Sequence, residues 1–273
     1  SKGYETMTMA AVCTDSEIMG LPLPSRESNE KVIRDIFTRT TIAANAGAKI
    51  VVWNEAGFFL ELENEQQWMD SISMLSEIND VTIVAAYMVP ISEAPFLYEN
   101  KLQFFNPDGS IEFEYHKHEP VAGEPAVKGT EAQRIKALAE SNIGAAICYD
   151  YDFPYLARGN KDAGADIVAI PSSDWRGIDP LHTKMAAFRA IEQGHSILRS
   201  TRFGLSAAIT PYGEMTSKMS SFDENDKIMM AHLPVKGIRT IYSITGDIIV
   251  YLSLAFLLII SLRAIFKRFQ QRA

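Results

Sequence analysis

The sequence predicts an α/β fold, with helices layered on mixed sheets, followed by one membrane-spanning helix. Three features predict it. Apolar runs of strand length alternate with stretches of helical periodicity, strands then follow one another directly, and an uncharged apolar segment lies near the C-terminus.

The first strand is expected at residues 7–13 (MTMAAVC). Residues 27–46 carry Val32, Ile33, Ile36, Phe37, Ile42 and Ala43 near helical spacing, and Gly47 is the natural stop. Residues 49–53 (KIVVW) read as a short buried strand, 66–78 as a second helix and 81–89 as a strand. Asn106-Pro107-Asp108-Gly109 is a turn signal between the two arms of a hairpin. A buried strand is expected at 143–148 (IGAAIC), a short helix at 154–163, a strand at 166–170 and a longer helix at 180–193. Strands at 195–201 and 205–210, a turn at Pro211-Tyr212-Gly213-Glu214 and a last strand at 228–233 complete the soluble part.

Residues 248–262 (IIVYLSLAFLLIISL) hold no charge, and Ala264-Ile265-Phe266 extends the run past Arg263. A span needs roughly 17–25 apolar residues, and an arginine near the end of the run can snorkel to the interface. The competing reading of the segment is a buried core helix. Lys267, Arg268 and Arg272 follow the run while Asp247 precedes it, so the positive-inside rule puts the C-terminus in the cytoplasm and residues 1–246 outside. Ser1-Lys2-Gly3, without an initiator Met, reads as a cut chain or a linker remnant, and an upstream region is expected.

The formal charge of -8 argues against nucleic acid as a partner, because phosphate binding needs basic patches. Two cysteines, Cys13 and Cys148, make no disulfide framework, and five histidines without paired spacing suggest no structural metal. Cys13 is expected in the core.

Three side chains stand where chemistry is usually built. Cys148 ends an apolar strand just before a loop that leads into a helix, a turn that exposes a nucleophile and aims backbone N–H groups at the same place. On its own it reads more readily as a plain buried thiol. Glu55 follows the strand KIVVW, and Lys117 follows a strand at 111–115; alone, each is an ordinary surface charge. Together, a Glu, a Lys and a Cys each end a strand, in that order, at gaps of 62 and 31 residues.

That order resembles the nitrilase superfamily, the carbon–nitrogen hydrolases. DGSIEFEYHKHEPVAGE is similar to its lysine block and GAAICYDYDFP to its cysteine block, while HTKMAAFRAIE followed by STRFGLSAAITPYGE supplies a third. The likeness covers roughly residues 7–235. Within the superfamily the chain most resembles the catalytic domain of the apolipoprotein N-acyltransferases, through Lys117-His118 running to Gly123-Glu124, Ile147-Cys148-Tyr149, and Ile241-Tyr242-Ser243-Ile244-Thr245-Gly246 before the final span. It departs from that pattern at Val121-Ala122 ahead of Gly123-Glu124, and at Asp150, where a glutamate is usual.

The resemblance implies a four-layer αββα sandwich over residues 1–240, and a transmembrane helix with a basic cytoplasmic tail over 241–273. It also implies a Glu–Lys–Cys triad: Glu55 as base, Lys117 as oxyanion partner, Cys148 as nucleophile. The Tyr149 N–H would be a second oxyanion donor, and Glu124 and Asp150 would support the lysine or the base. Trp175 is a candidate for the acyl pocket, against core packing. Arg189 and Glu192, three apart on a helix, are expected to pair structurally, and His116 and His118 to point away from Lys117. No cofactor is implied. The expected function is acyl transfer through a thioester on Cys148, from a phospholipid to a lipoprotein amine, at a bacterial-type cell membrane. The alternatives are a membrane-tethered amidase with water as acceptor and an inactive domain that binds lipid or a partner.

Overall fold

The structure, a computed structural model, describes residues 5–16, 18, 20–223 and 227–271. Ser1-Lys2-Gly3 and Arg272, used in the sequence reading, lie outside the described residues. The strands are β1 (Thr6–Val12), β2 (Ile50–Trp53), β3 (Thr82–Glu93), β4 (Phe96–Phe105), β5 (Ile111–His116), β6 (Ile135–Ala137), β7 (Asn142–Ala145), β8 (Ile167–Ser173), β9 (Ser196–Arg202), β10 (Leu205–Ile209), β11 (Met215–Ser220) and β12 (Ile228–Pro234). The helices are α1 (Arg26–Asn45), α2 (Glu65–Asn79), α3 (Pro154–Asp162), α4 (Leu181–Gln193), α5 (Ile241–Thr245) and α6 (Ile248–Gln270).

Two six-stranded mixed sheets form, ordered β12-β1-β2-β3-β4-β5 and β11-β10-β9-β8-β7-β6. Strand periodicity decides which face each side chain serves. Along β1, Met9 and Ala11 enter the core between the sheets with Val52, Ala145, Ala169 and Leu198, while Ala10 and Val12 face α1 and α2 with Ile33, Ile36 and Met69. The second sheet does the same, with Val168, Ile170 and Ile197 packed against Ala157 of α3 and Ala186 and Ala190 of α4. The layers therefore run α–β–β–α. Because both faces of the central strands are covered, those strands read as continuous apolar runs.

Local chemistry sets the helix limits. Ser25 caps α1 by accepting from Ser28 N. Pro154 opens α3. Gly194 ends α4 at a φ of 73°, where an added Cβ would lie 2.3 Å from the Ile238 carbonyl.

The expected elements are present, with α5 as an added short helix before the span and with the following further differences. The strand expected at 143–148 stops at Ala145, where its pairing with β8 ends, and Cys148 opens a short turn, Cys148–Asp152, at a φ of 48°. The edge strands β6 and β11 carry no strong apolar run and were not expected. Helix α6 continues to Gln270, past the apolar run. Ile248–Arg268 is long and apolar enough to cross a membrane, and none of it is buried against the rest of the chain, which removes the core-helix reading.

Candidate active site

Glu55, Lys117 and Cys148 follow the ends of β2, β5 and β7, and all three line one cavity of about 1050 Å³. Each is almost wholly buried. Lys117 Nζ donates to Glu55 Oε1 at 2.8 Å and to Glu124 Oε2 at 2.8 Å. Asn100 Nδ2 bridges the same acids, 2.7 Å from Glu55 Oε1 and 3.0 Å from Glu124 Oε1. Glu124 also accepts from the Tyr98 hydroxyl at 3.0 Å and from Val121 N at 2.9 Å. The antiparallel register of β4 and β5 makes this possible: Lys101 faces His116, and Lys117 N donates to the Asn100 carbonyl, so Asn100 and Lys117 arrive side by side.

Electrostatics follow from this packing. Burial alone would push the Lys117 ammonium down, but the charges of Glu55 and Glu124 beside it oppose burial, and the group is held well above the usual lysine range. For Glu124 burial pushes up, yet Lys117 and the hydrogen bonds it accepts hold the carboxyl below its ordinary value. Burial, then the charge of Glu55, pushes the Cys148 thiol well above its ordinary value. That direction favours the thiol over the thiolate at Cys148.

Asp150 acts on the backbone around the site. Its carboxylate takes Ile147 N at 3.0 Å, His118 N at 3.0 Å, Glu119 N at 2.7 Å and the Tyr115 hydroxyl at 2.9 Å. It ties the backbone after Lys117 to the turn that starts at Cys148, rather than touching the lysine's amine. Burial pushes its pKa up to about 6.

Tyr149 and Trp175 line the cavity, and Trp175 is more than half exposed, so pocket lining rather than core packing describes it. Arg189 and Glu192 pair at 3.0 Å. His116 faces Glu99, Glu114 and Glu131, while His118 lies between the carbonyls of His116 and Glu131 and stacks on Tyr115, so neither reaches the cavity. Cys13 is a core residue, its Sγ 3.3 Å from the Thr201 carbonyl.

Sequence reading missed the opposite wall. Cys148 Sγ lies 3.6 Å from the Ser173 carbonyl at the end of β8. Next to it, Asp174 is gripped by Arg199, Nη1 to Oδ2 and Nη2 to Oδ1 at 2.9 Å each. His182, in the first turn of α4, stands between Asp174 Oδ1 at 2.7 Å and Asp152 Oδ1 at 3.0 Å. Donor atoms of Cys148, Asp174 and His182 lie within 4.8 Å of one another, but Arg199 takes both oxygens of Asp174, so the cluster is built as an ion-pair network.

The carbon–nitrogen hydrolase family model matches residues 11–242, from β1 through the start of α5. The chain belongs to the carbon–nitrogen hydrolase family. The apolipoprotein N-acyltransferase of Borreliella burgdorferi is 25% identical over 96% of this chain and 56% of its own length. That of Shewanella oneidensis is 25% identical over 73% of this chain and 45% of its own length. The chain thus spans about half the length of these relatives. Among solved structures, an amidase from Nesterenkonia sp. superposes with a TM-score of 0.68 at 16% identity, over 86% of this chain and 93% of its own. In one form of that amidase the acetamide moiety of fluoroacetamide is added covalently at the active-site cysteine. The superposition confirms the two-sheet carbon–nitrogen hydrolase fold.

Proposed function

We propose that this chain is the acyl-transferring part of a membrane enzyme, in which Cys148 takes an acyl group from a phospholipid as a thioester and hands it to the N-terminal amine of a lipoprotein. The cavity carries this reading. At about 1050 Å³ it lies just above the range of roughly 300–1,000 Å³ for drug-sized ligands, far more than a small amide fills. Leu21, Leu23, Phe96, Trp175 and Ile178 give it walls suited to an acyl chain. A helix of membrane length on the same chain brings such a site to its lipid, and the named activity of the relatives agrees.

In this mechanism Glu55 takes the thiol proton of Cys148, and the thiolate attacks the ester carbonyl. Lys117, with the Tyr149 backbone N–H, neutralises the oxyanion. Collapse expels the lysophospholipid alkoxide, which leaves with the proton from Glu55. The acceptor amine then attacks the thioester, gives up a proton to Glu55, and Cys148 departs as thiolate. Glu124 orients Lys117, and Asp150 holds the nucleophile turn in register with the lysine strand. Residues 1–240 form the catalytic domain and 241–273 the span and its tail. Lys267 and Arg268 at the far end of α6 support, through the positive-inside rule, a domain on the extracytoplasmic side of a bacterial-type cell membrane.

The test is intact-protein mass spectrometry after incubation with phospholipid in detergent micelles. A gain of one fatty-acyl group, absent in Cys148→Ala, is the expected result. Adducts from small amides alone would turn the reading to an amidase. A cysteine inert to lipid, amide and alkylating reagents would turn it to a binding domain.

A further inference from the structure

Arg202, the last residue of β9, is a buried cation with one nitrogen to spare. Its Nε donates to Ser173 Oγ at 2.9 Å and its Nη2 to the Ile18 carbonyl at 2.9 Å, whereas Nη1 has no hydrogen-bond partner among the described residues. The residue is 5% exposed, and among the described residues no carboxylate forms an ion pair with it. Arg199, on the same strand, has both terminal nitrogens on Asp174. Arg202 nevertheless lines the cavity that holds Cys148, anchored to Ser173, whose carbonyl touches the Cys148 sulfur.

Taking a guanidinium out of water is costly unless an anion meets it. The acids around the nucleophile already have partners: Glu55 and Glu124 accept from Lys117 and Asn100, and Asp174 from Arg199. The acceptors Arg202 does have, a hydroxyl and a carbonyl, are neutral. We infer that Arg202 is an anion-binding subsite of this cavity, which receives a phosphate group carried by the molecule whose carbonyl meets Cys148. Guanidinium geometry matches phosphate oxygens, and a preset orientation leaves little entropy to lose on binding. The inference rests on the proposed function in that the phosphate belongs to the acyl donor. A free phosphate ion offers the same chemistry.

Protection of Cys148 from iodoacetamide, read by mass on the full-length chain in detergent, tests this without any turnover. The probes are a short-chain diether phosphatidylglycerol, which cannot donate an acyl group, the matching diether glycerol, and inorganic phosphate. In the wild type the phospholipid should protect at a concentration at least tenfold lower than the neutral diether. Arg202→Gln should collapse that ratio towards one, and Arg202→Lys should fall between. Phosphate protecting alone, with the same dependence on Arg202, identifies the free ion as a sufficient occupant; protection by the lipid only identifies the headgroup. Equal protection by both diethers in the wild type, or an unchanged ratio in Arg202→Gln, overturns the subsite. If Arg202→Gln fails to fold, the wild-type ratio and Arg202→Lys decide. Failure of an ester phospholipid to acylate Cys148 would sink the donor assignment and leave the protection ratio as it stands.

Discussion

Lys117 Nζ lies 2.8 Å from Glu55 Oε1, with both side chains almost fully out of water. A buried pair of this kind is costly to break, because the surviving charge has nowhere to go. Lys117→Met should therefore destabilise the protein by about 3–5 kcal/mol, since it leaves Glu55 and Glu124 facing each other, and should abolish acylation of Cys148. Glu55→Gln keeps the shape and the Asn100 side of the site but removes the carboxylate proposed as proton acceptor. Thioester formation should fall by about 10²–10⁴-fold with a much smaller loss of stability. Stopped-flow acylation and thermal melts on the same samples check both, and a Glu55→Gln enzyme at wild-type rate would exclude Glu55 as the base.

Glu124 gathers four hydrogen bonds, from Lys117, Asn100, Tyr98 and Val121. Its carboxyl is held below the ordinary range, with burial opposing and Lys117 prevailing. The folded value lies below the unfolded one, so the stability this group adds is complete above about pH 4.3 and drains as pH falls through the lower, folded value. Glu124→Gln should flatten that acid limb in melts between pH 6 and pH 3. Glu124→Ala should also lower acylation, and full activity in that variant would remove the residue from the mechanism.

His182 titrates in the opposite sense. Burial works against its charge, but Asp152 and Asp174 on its two ring nitrogens prevail and raise it. A nitrogen facing each carboxylate is the arrangement of an imidazolium, which alone donates from both. Arg199 Nη2, 2.9 Å from Nδ1, shares the Asp174 oxygen and opposes the charge. The stability contributed is full below about pH 6.5 and is lost as pH rises through the higher folded value. Because Asp152 ends the Cys148 turn and Asp174 follows β8, the same loss should loosen the turn that carries Cys148. His182→Gln should remove the alkaline fall in melting temperature, and identical slopes in variant and wild type would contradict the linkage.

How much of this site was legible depended on sequence distance and register. Glu55, Lys117 and Cys148 stand out because each follows a strand, an apolar run before Glu55 and Cys148 and the alternating IEFEYH before Lys117, and a strand end is where an α/β protein exposes side chains. Asn100 and Tyr98 do not. They sit inside β4, and only the pairing of Lys101 with His116 brings them beside Lys117 and Glu124. Asp174 and Arg199 meet across parallel strands 25 residues apart, a pairing no local pattern encodes. Ala146 and Ile147 are as apolar as β7, so the pattern runs on to Cys148, although the register with β8 ends at Ala145. Edge strands β6 and β11 escaped notice because one face of each meets solvent and little apolar signal survives.

Helix α6 makes the last prediction. None of its apolar window is covered by the rest of the chain, so the folded domain gains nothing from its composition and a bilayer should. A lysine at the middle of a spanning helix costs about 2.5–3.5 kcal/mol on insertion scales. Leu257→Lys together with Leu258→Lys should therefore shift much of the expressed protein out of the membrane fraction. The melting temperature of the detergent-extracted domain and the alkylation rate of Cys148 should stay within error. A fall in melting temperature would mean that α6 packs on the sandwich. An unchanged membrane fraction would mean that something other than the span holds the chain there.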